Sequence, residues 1–306
     1  SGPLGVDPGL NRTYLTVEDN GGGYLIVLDA SNLDVQGAVP TPAGLALGAL
    51  DPERHLLYLA AGEGRLQIWS ATGGELPGPV EPAPAALPVE QVQQLFVGPA
   101  GNTVLAGSLY RSEDTGRSWL QIGGGLPDLS VSESVFSPDF SQDQTLFAVT
   151  VAMDTGLGVW KSADGGKTWR MANTGLSDMA VIDLAVSPAF GEDQTLFATT
   201  RRQGLFRSTD GGRSWLQLTG RYYEPQGYVE PPGDVVLSPT YAQDHTLFVA
   251  HDGLHRSVDG GESWQQIFAE NPASLALSAD PATDGVVYAW FSSAGLLRSE
   301  DWGDTW

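Results

Sequence analysis

One nine-residue string returns five times along this chain, and such a repeat constrains the fold more than any single residue can. It reads RSEDTGRSW at Arg111–Trp119, KSADGGKTW at Lys161–Trp169, RSTDGGRSW at Arg207–Trp215, RSVDGGESW at Arg256–Trp264 and RSEDWGDTW at Arg298–Trp306. Successive serines stand 50, 46, 49 and 42 residues apart. A second string precedes three of the copies: SPDFSQDQTLFAVT from Ser137, SPAFGEDQTLFATT from Ser187 and SPTYAQDHTLFVA from Ser238. Between the strings lie short runs such as TLFAV and GVWKS, rich in β-branched and aromatic residues and bounded by Gly, Pro, Asp and Asn. In the unit around Ser137 the strands are expected near Ser134–Ser137, Leu146–Thr150, Gly158–Ser162 and Thr168–Asn173. Four short antiparallel strands per repeat predict a propeller blade, which cannot bury both of its faces alone and must stack on its neighbours.

The N-terminal third lacks the string but keeps the rhythm. Val6-Asp7-Pro8, Arg12–Val17 and Tyr24–Asp29 predict three strands, and Leu50-Asp51-Pro52, His55–Ala60 and Arg65–Ser70 repeat the plan. Two such units and five of the other kind make seven, at about 44 residues each. The expected fold is therefore all-β, a single seven-bladed β-propeller of four-stranded antiparallel blades. Its blades are expected at approximately 1–38, 39–89, 90–129, 130–177, 178–222, 223–270 and 271–306. Trp306 falls where the last fourth strand would begin, so blade seven is expected to be incomplete. Blade one should still pack on it, leaving the edge of its third strand open to further chain or to a partner.

Composition narrows the function. With 37 acidic and 15 basic side chains the net charge is −22, and only Lys161 and Lys167 are lysines. Such a chain cannot supply the phosphate neutralisation that nucleic-acid binding needs, and an anionic membrane would repel it. Hydrophobic residues at 41% are too many for a disordered acidic segment. The chain has no cysteine, which removes disulfides, thiolate nucleophiles and Cys-ligated metals. No apolar run reaches the roughly 18 residues of a membrane span.

The S-x-D-x-G-x-x-W string resembles the Asp-box, or BNR repeat, of sialidases, xyloglucan-active endoglucanases, sortilin-type receptor domains and photosystem II assembly factors. The first two units resemble YVTN and WD-like blades, in which a D-P turn joins the first two strands. The resemblance implies the propeller fold and little about function. A sialidase would add three arginines on the substrate carboxylate, a Tyr nucleophile with a Glu partner, an acid Asp and an R-I-P string. This sequence contains no R-I-P. The endoglucanases place a cleft between two propellers with a carboxylate from each, whereas one propeller is expected here.

The repeated residues are expected to be structural. Asp114, Asp164, Asp210, Asp259 and Asp301 recur once per blade, as a turn requires and a single active site does not. Asp143, Asp193 and Asp244 should shape the turn between the first two strands. Arg111, Lys161, Arg207, Arg256 and Arg298 occupy one blade position and should pair with neighbouring blades.

Function is expected at the opposite end, on the loops between second and third strands and between blades. Departures from the repeat concentrate there, and the candidate ligand-binding residues are Arg201, Arg202, Arg221, Tyr222, Tyr223, Glu224 and Tyr228. Tyrosines beside arginines and a glutamate suit stacking on a sugar ring or recognition of a carboxylate. Asp154 and His251 fall on neighbouring loops, and of the four histidines, His55, His245, His251 and His255, none shows metal-ligand spacing beyond His251 and His255, which straddle a turn. No catalytic residue, metal or cofactor is assigned.

The resulting expectation is a non-catalytic interaction or ligand-binding module of a larger secreted or cell-surface bacterial protein. Its partners would be a protein or glycan on the loop face and further domains of the same polypeptide, with no nucleic acid and no membrane insertion. The alternatives are a carbohydrate-active glycoside hydrolase and a structural component of a surface layer or filament. Two convergent carboxylates beside an arginine or aromatic platform would favour the hydrolase.

Overall fold

The computed structural model describes residues 5–19, 22–42, 46–52, 54–61, 65–72, 76–80, 95–98, 103–106, 110–115, 117–126, 130–152, 155–218, 233–278 and 285–306. They form seven antiparallel sheets, each built from strands consecutive in the sequence, six of four strands and the last of three. The fold is a seven-bladed β-propeller. The chain divides into two compact units, Ser1–Ile122 and Gly123–Trp306.

The first unit holds three blades. Blade one comprises β1 (Gly5–Asp7), β2 (Arg12–Asp19), β3 (Gly22–Asp29) and β4 (Val35–Thr41). Blade two comprises β5 (Ala46–Asp51), β6 (Leu56–Ala61), β7 (Arg65–Ser70) and β8 (Gly78–Pro79), and blade three β9 (Leu95–Val97), β10 (Val104–Ala106), β11 (Tyr110–Ser112) and β12 (Leu120–Gln121). The D-P turns work through their aspartates. Asp7, wholly buried, accepts the Leu10 amide at 3.1 Å and reaches His55 Nδ1 of blade two at 2.7 Å. Asp51 accepts the Arg54 amide at 3.1 Å in the same way. Arg12 ties blade one to blade two by donating to the Ala71 carbonyl at 3.1 Å.

The second unit holds four blades. Blade four comprises β13 (Ser130–Phe136), β14 (Leu146–Ala152), β15 (Thr155–Ser162) and β16 (Arg170–Met171), and blade five β17 (Val181–Val186), β18 (Leu196–Thr200), β19 (Gly204–Ser208) and β20 (Leu216–Gln217). Blade six comprises β21 (Val235–Leu237), β22 (Leu247–Ala250), β23 (Leu254–Ser257) and β24 (Gln265–Phe268). Blade seven has β25 (Ser274–Leu277), β26 (Val287–Phe291) and β27 (Gly295–Ser299). The S-P-x-[FY] strings fold as single helical turns between first and second strands: α1 (Phe140–Asp143), α2 (Phe190–Asp193) and α3 (Tyr241–Asp244).

The core of this unit lies between blades, because a second strand is apolar on both faces. In β18, Leu196 and Ala198 pack against Phe147 and Val149 of blade four, whereas Phe197 packs toward Val235 and Leu247 of blade six. The aromatics of α2 and α3 meet the phenylalanine of the preceding blade edge-on, Phe190 against Phe147 and Tyr241 against Phe197, each with ring centroids 5.6 Å apart, whereas Phe140 of α1 meets Phe136 of its own blade at 4.8 Å. Phe248 continues the series by stacking on Trp302 at 6.2 Å.

One bond recurs whatever the sequence type of the blade. The connection between first and second strands ends on a left-handed residue: Asn11, His55, Gln144, Gln194 and His245 with φ between 51° and 56°, and Gly285 at 94°. Its carbonyl accepts an amide from the turn that follows the third strand, from Ala30, Ala71, Gly165, Gly211, Gly260 and Trp302 respectively, at 2.9 to 3.0 Å. The two turns of a blade are thus fastened together at one end, leaving the other end to the remaining loops.

Candidate functional site

The recurring S-x-D-x-G-x-x-W turn spends its polar side chains on its own backbone. After β15, Ser162 Oγ donates to Asp164 Oδ1 at 2.9 Å and accepts the amides of Asp164 and Gly166 at 3.3 and 2.9 Å. Asp164 then accepts the amide and hydroxyl of Thr168 at 2.9 and 2.6 Å. The serine-to-aspartate bond and the pair accepted by the aspartate recur at Asp114, Asp210, Asp259 and Asp301. Donation from Ser118 holds the Asp114 carboxyl at about 2, and donation from Thr305 holds Asp301 at about 2. Desolvation pulls Asp164, Asp210 and Asp259 upward, but the donors of Thr168, Ser214 and Ser263 outweigh it and leave all three below the ordinary value. Each of these five aspartates builds the turn that follows the third strand of its blade.

The glycine and tryptophan of the string serve packing between blades. Gly212 has φ +82°, and a Cβ there would meet Phe147 and Ala172 of blade four at 3.3 and 3.6 Å. Gly261 has φ +93°, and its Cβ would strike Leu218 of blade five at 2.7 Å. Trp215 is buried and donates from Nε1 to the Ala172 carbonyl at 2.7 Å, while Trp169 donates to Gly166 O of its own turn at 2.9 Å.

The cation that opens the string bridges to the next blade within the second unit. Lys161 Nζ donates to Gly211 O at 2.9 Å, Arg207 Nη1 to Gly260 O at 3.0 Å and Arg256 Nη1 to Trp302 O at 2.9 Å. Arg111 and Arg298 form ion pairs within their own blades, with Glu113 and Glu300.

A second set of carboxylates, Glu133, Asp183 and Asp234, lies where first strands converge. Each stands four residues before the serine of an S-P string. Bulges between Val131 and Glu133 and between Val181 and Asp183 break the alternation of β13 and β17, turning these side chains toward the next blade. Glu133 Oε2 accepts the Leu184 amide at 3.0 Å, and Asp183 Oδ2 accepts the Val235 amide at 2.6 Å. Desolvation, then the charge of Asp183 and a hydrogen bond with it, raise the Glu133 carboxyl well above the ordinary range. Asp234 keeps solvent contact, but the protein packed around it and the nearby Asp183 raise its carboxyl to about 6. Convergent carboxylates are therefore present, and two of them are committed to backbone amides of the following blade.

Of the residues expected to bind a ligand, Arg201 and Arg202 lie on the turn between β18 and β19, with exposed side chains. Their backbone is held: the Arg201 amide donates to Ala180 O at 2.9 Å, and the Arg202 amide to Asp178 Oδ2 at 2.7 Å. Gln203, next along, receives Gln217 Nε2 on its carbonyl at 2.7 Å. Arg221, Tyr222, Tyr223, Glu224 and Tyr228 lie outside the described residues, as does Asp154. His251, on the corresponding turn of blade six, is buried, its amide donating to Gly253 O at 2.7 Å. His255 follows on β23, where burial lowers its imidazole below the usual value. Among the described residues no three His, Asp or Glu side chains gather in a metal-binding group, and no helix is long and apolar enough to cross a membrane.

No family model matches the chain, and no curated protein sequence does. Solved structures do. The GH74 xyloglucanase from Xanthomonas campestris superposes with a TM-score of 0.65 at 18% identity, covering 99% of this chain and 59% of that one. Saccharomyces cerevisiae Sqt1 gives a TM-score of 0.66 at 12% identity, over 99% of this chain and 83% of its own. The chain thus spans 59% of the xyloglucanase's length. At these identities the likeness is one of fold alone.

Proposed function

We propose that this chain is a non-catalytic binding module made of Asp-box blades, one domain of a larger secreted or cell-surface bacterial protein. Its ligand surface is the end of the blades opposite the S-x-D-x-G-x-x-W turns, centred on Arg201 and Arg202, and it takes a protein or glycan ligand bearing a carboxylate. The observation that carries this reading is the dibasic turn itself. Two arginine side chains stand exposed on a backbone pinned to Ala180 and Asp178, so little ordering entropy opposes a contact made there. The hydrolase reading receives no comparable support. Glu133 and Asp183 are hydrogen-bonded to one another, closer than the roughly 5–9 Å that a glycosidase pair keeps, and a carboxylate oxygen of each is taken by a backbone amide.

The test is a glycan and peptide array probed with the purified chain and with two double variants, Arg201→Ala/Arg202→Ala and Tyr222→Ala/Tyr223→Ala. A ligand found with the parent chain should be lost in both variants, with their melting curves unchanged. Retention of binding by the arginine variant would remove the basis of the proposal. Hydrolysis of a glycan by the parent chain, lost in Glu133→Gln, would replace it with the enzymatic reading.

A further inference from the structure

Among the described residues, four of the five cations that open the recurring string meet a carboxylate, and the exception identifies a cavity. Arg111 pairs with Glu113 and Arg298 with Glu300, each two residues further along its own blade. Arg207 and Arg256 carry no acid at that position, where Thr209 and Val258 stand. They reach instead to the next blade, Arg207 to Glu262 at 3.0 Å and Arg256 to Asp304 at 2.9 Å. Glu262 and Asp304 occupy one position of the string, two residues before its tryptophan. Lys161 has Ala163 on its own blade, and Arg213 occupies the position of Glu262 and Asp304 on the next.

The joint between blades four and five therefore keeps the cation-to-carbonyl bond of its neighbours, Lys161 to Gly211, but reverses the charge that would complete it. What remains is a cavity of about 490 Å³ lined by Lys161, Asp164, Thr168, Arg170, Met171 and Arg213 among others. Three of those side chains are cationic, in a chain of net charge −22. Lys161 is half-buried over the faces of Phe147 and Phe190, with Nζ 5.3 and 5.8 Å from their ring centres. Burial and the charge of Arg213 lower its pKa, against the pull of Asp143 and Asp210. Asp164 is the acid in the lining, and Ser162 and Thr168 already occupy it.

We propose that this cavity is a binding site for a small organic carboxylate, whose acid group takes the place that Glu262 and Asp304 fill at the two following joints. Lys161 and Arg213 hold the carboxylate, Arg170 adds a third charge at the rim, and Met171 with the Thr168 hydroxyl offers an apolar and a polar contact to the rest of the molecule. The site stands at the opposite end of the blades from Arg201 and Arg202 and does not depend on them.

Calorimetric titration of the 306-residue chain in low salt tests this, with glucuronate and succinate as carboxylates, glucose as the neutral control and inorganic phosphate as the competing anion. Saturable 1:1 binding of at least one carboxylate is expected, with none of glucose. Arg213→Glu copies the residue of the next blade and closes the site with an internal acid. It should weaken binding by more than about tenfold, as loss of a charge-assisted contact and its reversal require, while raising the melting temperature of the unliganded chain. Should that variant fail to fold, Arg170→Gln, on the exposed outermost strand, gives the same readout with a loss of several-fold. The proposal is overturned if neither carboxylate saturates, if phosphate alone binds, if glucose binds as well as glucuronate, or if affinity is unchanged in the folded variant.

Discussion

At the scale of single residues the string divides into parts that hold stability and parts that shape a loop. Trp215 buries an indole between blades four and five and donates across to Ala172, whereas Asp164 serves only its own hairpin. Trp215→Ala should therefore cost about 3–5 kcal/mol in denaturant unfolding, by loss of buried area and the cavity left behind. Asp164→Asn keeps one acceptor and should cost about 1 kcal/mol; equal losses in the two variants would contradict this division. The aspartate's role was legible in the sequence because its spacing recurs once per copy of the string and its carboxylate finds its partners within the turn; the reach of Trp215 to Ala172 of the preceding blade was not, since nothing within the string marks it. Neither were Glu133, Asp183 and Asp234. Their common place four residues before the S-P serine was available as a signal, but strand alternation alone does not direct them toward the next blade. The bulges at Val131/Glu133 and Val181/Asp183 do that, and a bulge leaves no composition mark here.

At the scale of elements the strands were legible and the short helices were not. Four residues, as in α2, make one turn and show no helical period. What forms α2 is a side-chain clasp: Ser187 Oγ, fully buried, donates to Asp193 Oδ2 at 2.6 Å, and Asp193 Oδ1 accepts the Thr195 amide at 2.8 Å. Asp193→Ala leaves both donors without their acceptor and should destabilise the chain by about 1–3 kcal/mol, with Asp193→Asn recovering part of the loss. A melting temperature unchanged in Asp193→Ala would show that α2 is held by Phe190 packing alone. Strand lengths also departed from expectation where partners decide them. β13 runs from Ser130 to Phe136 rather than Ser134 to Ser137, because the bulge lets it follow β14 further, whereas β16 shortens to Arg170–Met171.

At the scale of the whole chain two groups of carboxylates oppose one another as pH changes. The turn aspartates have folded values below the unfolded value of 3.8, so the stability they give is present above that value and is lost as pH falls toward 2. Glu133 and Asp234 are raised, so theirs is complete below the ordinary values of 4.5 and 3.8 and is lost as pH rises, for Asp234 through about 6. Thermal unfolding should accordingly be highest near pH 4 to 5 and decline on both sides, and Glu133→Gln should flatten the decline above it. Relief of the −22 net charge works in the same direction on acidification, but salt screens that repulsion. The part of the slope that survives added salt belongs to the buried acids, and a curve still rising from pH 5 to 7 in high salt would rule out their assigned shifts. The joints of the second unit carry one more implication. Lys161, Arg207 and Arg256 each hold a carbonyl of the blade that follows, and Glu133 and Asp183 likewise hold its amides. No joint depends on how many precede it. A tandem duplication of one such blade would arrive carrying both halves of its own fastening, so local bonding places no ceiling on the number of copies, and the limit must come from geometry at larger scale.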